Sequence, residues 1–90
     1  MQSKAFVLIE TEMGKAKEIN GLLRSFKEIM STDLVTNPYD IIAIIGGRTE
    51  REIEDFASRK LRSIDGITRT VLCEAVPQAR QGGPRSPLVL

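Results

Sequence analysis

Apolar and polar positions alternate, then recur at helical spacing, then alternate again, and that succession sets out the elements of the chain. Ala5, Val7 and Ile9 fall on one side of an extended segment, with Phe6 and Leu8 on the other. A strand over residues 4–11 is therefore apolar on both faces. Over residues 15–27 the period changes. Ala16, Ile19, Leu22, Leu23 and Phe26 form one stripe of an amphipathic helix. Residues 28–35 mix Ile29, Met30, Leu34 and Val35 with Ser31, Thr32 and Asp33, which suits a strand at a sheet edge. Thr36-Asn37-Pro38 is a turn signal. The apolar run Ile41 to Ile45 follows, preceded by Tyr39 and Asp40. A strand apolar on both faces belongs in the middle of a sheet with both faces covered.

Gly46-Gly47-Arg48 interrupts that strand, and Thr49-Glu50-Arg51-Glu52 is a capping box that opens a second helix. Ile53, Phe56, Ala57, Leu61 and Ile64 make its buried stripe, and Gly66 stands where a helix stop is expected. Residues 67–76 read as the last strand, with Val71, Cys73 and Ala75 on one side and Thr70, Leu72, Glu74 and Val76 on the other. After Pro77 the chain is rich in proline and glycine and carries no acidic residue, which reads as a flexible tail over 77–90.

The order β-α-β-β-α-β predicts an α+β, ferredoxin-like domain over residues 1–76. Right-handed crossovers put both helices on one face of a four-stranded antiparallel sheet, in strand order 4-1-3-2. The other face then exposes Phe6, Leu8 and every second residue of 41–45. A patch of that kind is expected to be covered by a second copy, sheet against sheet.

Composition narrows the function classes. With 90 residues the chain is near the size at which a single core just suffices. There are 13 Lys and Arg against 12 Asp and Glu, and without Arg80 and Arg85 in the tail the balance is 11 against 12. No basic excess favours direct binding of nucleic acid. Cys73 is the only cysteine and histidine is absent, so an internal disulfide is impossible, and no Cys/His metal site or cofactor is expected. No apolar run reaches membrane-spanning length, and residues 1–9 do not read as a signal peptide. A cytoplasmic location is the expectation.

Three stretches resemble the effector-binding (RAM) domain of the Lrp/AsnC family of transcription regulators, over about residues 4–76. They are Ala5-Phe6-Val7-Leu8-Ile9, Val35-Thr36-Asn37-Pro38-Tyr39-Asp40-Ile41 and Ile64-Asp65-Gly66-Ile67-Thr68-Arg69-Thr70. Asn37 stands where the family prefers glycine and is the next-best residue for a positive φ. Leu72 replaces a threonine common in the family, and no helix-turn-helix precedes the first strand. The resemblance implies a stand-alone regulatory domain without its own DNA-binding domain. It would form dimers and then a higher, octamer-like ring, on its own or mixed with full-length relatives. The implied ligand is a small effector, usually an amino acid, held between subunits by Tyr39, Asp40, Thr68, Arg69 and Thr70. Asp40 would meet an α-ammonium group, and Arg69 or the threonine hydroxyls an α-carboxylate.

Each of these residues also has a plainer reading. Asp40 can close its turn or pair with Arg69, and Tyr39 can be a strand-end aromatic. Arg69 can be a solvated edge charge, and Thr68 and Thr70 good strand formers. Cys73 reads as a small core residue. Gly46 to Thr49 reads as a loop and cap rather than an anion cradle, since it lacks the lysine and spacing of a P-loop. Competing functions are a small dimeric α/β-barrel enzyme, an ACT-like amino-acid-binding module and a purely structural oligomer. The chain offers no histidine and no obvious acid–base pair for catalysis, so a non-enzymatic role is expected.

Overall fold

The computed structural model describes residues 3–75. The elements are β1 (Ser3–Thr11), α1 (Ala16–Leu23), β2 (Ile29–Leu34), β3 (Ile41–Gly47), α2 (Glu50–Asp55) and β4 (Ile67–Glu74). Beyond Asp55 the second helix loosens into a π-helical stretch, Phe56–Lys60, and a 3-10 turn, Leu61–Ser63. All strand pairs are antiparallel, in the order β2-β3-β1-β4. This is the ferredoxin-like arrangement, with the two strands apolar on both faces at its centre. The tail expected over 77–90 lies outside the described residues.

The register explains the layering. Ala5, Val7 and Ile9 stand opposite Ile45, Ala43 and Ile41, and all six are fully buried. Ile19 and Leu23 of α1, with Ile53, Phe56, Ala57 and Leu61 of the second helix, complete this core. Phe26 packs edge-on against Phe56, ring centroids 5.5 Å apart. On the opposite face Phe6 pairs with Ile44 and Cys73, and Leu8 with Ile42 and Val71. None of these reaches full burial; Phe6 retains 37% of its surface. The apolar open face read from the alternation is therefore present.

Three expectations need correction. The first helix ends at Leu23, short of residue 27. The Ser25 hydroxyl donates to the Leu22 carbonyl at 2.6 Å, and the chain tightens through Ser25 N–H to Leu22 and Phe26 N–H to Leu23. Leu22, placed in the buried stripe by spacing, is thereby left 46% exposed. Asn37 does not use the left-handed region: only Gly14 and Gly66 have positive φ among the described residues, and the Asn37–Pro38 peptide is cis. Cys73 is not a core residue. It is exposed on the open face, because the register with Phe6 turns it away from the helices.

Among the described residues, Gly66 is the one glycine whose place is fixed twice over. Its φ is +101°, and a Cβ there would lie 2.9 Å from Ile19 Cδ1. Its carbonyl accepts the Glu12 N–H at 2.8 Å, which joins the end of β1 to the start of β4.

Candidate functional site

Three chain segments meet at one end of the sheet: the end of β1, the turn before β3 and the start of β4. The turn closes on itself through Val35 N–H to the Asp40 carbonyl (2.9 Å), and Asp40 N–H donates to the Ile9 carbonyl (2.9 Å). The Asp40 side chain extends the same link. Its Oδ2 accepts the Thr11 N–H at 2.8 Å and the Thr11 hydroxyl at 3.3 Å, in a partly buried setting. A carboxylate accepting a backbone N–H gives a charge-assisted bond, among the stronger polar contacts available to a small domain.

Across β1 the ladder with β4 slips at Glu10 and Thr11, which pair with Arg69 and Ile67. Thr68 is the extra residue of this bulge. Its hydroxyl donates to the Glu10 carbonyl at 3.1 Å and lies 3.4 Å from Glu10 Oε1. The Arg69 guanidinium lies over the Tyr39 ring, 5.8 Å from its centroid. Since β1 separates β4 from β3, Arg69 reaches over the end of the middle strand to the turn beyond it.

Of the five residues expected at a site, Tyr39, Asp40, Thr68 and Arg69 come together at this end. Asp40 closes the structure on Thr11 rather than on Arg69. Thr70 stands apart: it pairs with the buried Ile9, which turns it to the helix side, in a shallow hollow with Glu54, Ala57 and Leu72. Two residues of the cluster are not among those the sequence points to as site residues. Glu10 and Thr11 close the first strand, but only the register with β4 and the Asp40 contact brings them into the group. The one signal available was that Glu10 continues the alternation of Phe6 and Leu8.

The opposite end of the sheet is built differently. A cleft of about 570 Å³ opens there, lined by Lys27, Gly47, Arg48, Glu52, Phe56 and Lys60 among others. Arg48 N–H donates to Glu52 Oε1 at 2.9 Å and Glu52 N–H to Thr49 Oγ1 at 3.1 Å. The capping box thus consumes the loop's donor, in keeping with a loop and cap. At the nearby end of β4 the Glu74 carboxyl is raised above the usual range, first by its hydrogen bond with Glu54, then by slight desolvation and the charges of Glu50 and Glu54. Among the described residues no group of three or more His, Cys, Asp and Glu is placed to hold a metal ion. No described helix is long and apolar enough to cross a membrane.

Comparison with known proteins gives a consistent result. The Lrp/AsnC ligand binding domain family matches residues 4–76. An uncharacterised HTH-type transcriptional regulator of Pyrococcus horikoshii, PH0140, is 32% identical over 66 residues, covering 73% of this chain and 42% of that protein. The chain thus spans less than half the length of that relative. Among solved structures, FFRP-DM1 has a TM-score of 0.79 at 27% identity, covering 82% of this chain and 99% of that one. The transcriptional regulator NMB0573 of Neisseria meningitidis, solved as an L-Met complex, has a TM-score of 0.75 at 16% identity, covering 88% of this chain and 53% of that one. This last likeness is one of fold.

Proposed function

Starting from the fact that this chain belongs to the Lrp/AsnC ligand binding domain family, we propose that it is an amino-acid-sensing assembly module. Its ligand would sit against the Tyr39, Asp40, Thr68 and Arg69 end of the sheet. The observation that carries this reading is the Arg69 guanidinium, held on the Tyr39 ring at 5.8 Å. There it lies at the shared end of three strands and can donate two parallel hydrogen bonds to a carboxylate. That a regulator of the same fold was solved with L-Met fits the ligand class. The module acts by binding rather than catalysis, and in a transcription regulator its output is a change of assembly.

The open sheet face supplies the means. Phe6, Leu8, Ile42, Ile44 and Val71 line it, and apolar strands opposed at this density are covered economically by a second copy. A dimer formed in this way sets the Arg69 end at its rim, where neighbouring subunits of a larger ring meet. Ligand binding and assembly are then linked thermodynamically.

Light scattering with and without each of the twenty L-amino acids tests this reading. The expected result is a dimer or larger species whose mass or melting temperature responds to at least one amino acid, with the response lost in Arg69→Ala. Leu8→Asp, a charge in the centre of the open face, should give monomers. A monomeric wild type, or an oligomer indifferent to every amino acid, contradicts the reading.

A further inference from the structure

One oxygen of the Asp40 carboxylate, the group that by family likeness would receive the ligand's ammonium, is engaged elsewhere. This oxygen, Oδ2, takes both the N–H and the hydroxyl of Thr11, and those bonds fix the turn to the end of β1. Glu10 is in the contrary position. It is half-buried and stands directly opposite Arg69 in the β1–β4 register, on the open-face side set by Phe6 and Leu8. Its side chain has one long contact, 3.4 Å from the Thr68 hydroxyl. Opposed residues in an antiparallel pair are close enough for opposite charges to join, yet Arg69 lies over Tyr39 instead. A carboxylate and a guanidinium thus face each other across two paired strands, with the cation drawn aside by an aromatic ring.

We infer that Glu10 is the ammonium-binding residue of this site and that Asp40 is a positioning residue acting through Thr11. An α-amino acid carries its ammonium and carboxylate groups on one carbon, so it can bridge Glu10 and Arg69 with one charge-assisted contact at each end. Its side chain would then lie toward Tyr39. This inference rests on the reading of this end of the sheet as the amino-acid site, and it assigns the group that distinguishes an amino acid from a simple carboxylate.

The test compares two ligands in calorimetric titrations: the L-amino acid giving the largest melting shift, and its des-amino analogue, the same carboxylic acid lacking the α-ammonium group. The wild type should favour the amino acid by about tenfold or more, the size of one charge-assisted bond. In Glu10→Gln, nearly isosteric, that preference should fall to near one, while binding of the des-amino acid is retained. Glu10→Asp should recover part of the preference. Asp40→Asn should lower the melting temperature and weaken both ligands together, keeping their ratio.

A preference kept in Glu10→Gln and lost in Asp40→Asn overturns the assignment and leaves the site reading standing. So does a wild type that binds both ligands equally. A Glu10→Gln protein whose molar mass falls makes Glu10 an interface residue and also overturns it. A wild type that binds no amino acid removes the site reading, and the assignment with it.

Discussion

The two ends of this sheet hold polar groups by different means. At the end where β1 stops and β3 and β4 begin, the polar contacts are long in sequence: Asp40 to Thr11, Thr68 to Glu10, Glu12 to Gly66. They tie three connections into one unit. At the other end the side-chain bonds of the loop after β3 are short in sequence, with Arg48 and Thr49 both bonded to Glu52, and the longer links are Gly46 N–H to the Glu28 carbonyl and Glu54 to Glu74. That end holds the cleft of about 570 Å³, but the side-chain bonds of its loop serve the start of one helix. Volume alone would choose that end, whereas the proposed site lies at the other. What marks a prepared binding surface is polar chemistry held in place from several elements at once, since only that fixes the mutual geometry a ligand requires.

The contrast predicts a gradient of mutational effects. The largest is at Gly66, where φ is +101° and Ile19 closes the space. Gly66→Ala should cost about 3 kcal/mol from backbone strain and core displacement combined, and chemical denaturation measures it. Asp40→Ala should come next. It leaves the Thr11 N–H without its partner in a partly buried place, at a cost of about 2 kcal/mol. At the other end Thr49→Ala removes one N-cap acceptor, worth about 1 kcal/mol and a fall in Tm of roughly 4–8 °C for a domain of this size. A Thr49 effect larger than that of Asp40 would reverse the ranking of the two ends.

The smallest effect concerns Glu74. Its carboxyl is raised by the hydrogen bond from Glu54 and the charges of Glu50 and Glu54. A carboxyl whose folded pKa exceeds its unfolded value stabilises the fold at low pH, fully so below about 4.5. That contribution fades as pH rises through the folded value. Glu74→Gln should therefore raise Tm slightly at pH 7 and bring no gain at pH 4. A gain confined to acid pH would mean that the carboxylates are not in contact.

The fold was largely legible because its signals are periodic. The alternation in 4–11 and 41–45 gives both central strands, and Gly66 marks the junction before β4. Where the sequence reading failed, a local contact overrode a pattern, as when Ser25 bonds back to Leu22 and ends α1 early. Cys73 failed for another reason. Its alternation was read correctly, but the side facing the helices depends on register with β1. The site shows the same limit. Tyr39, Asp40, Thr68 and Arg69 stand in recognisable stretches, whereas Glu10 and Thr11 join them only through pairing with β4 and the turn before β3. Thr70, one residue from Arg69, is turned to the opposite face by the same pairing.

Hydrogen exchange read by mass spectrometry, with and without the amino acid that most raises Tm, tests the distinction between the two ends most directly. Binding at the Arg69 end should slow exchange in segments 9–12, 35–41 and 66–70, while 46–52 exchanges as before. Protection confined to 46–52, around the cleft beside Arg48, would contradict the account and move the site to the other end of the sheet.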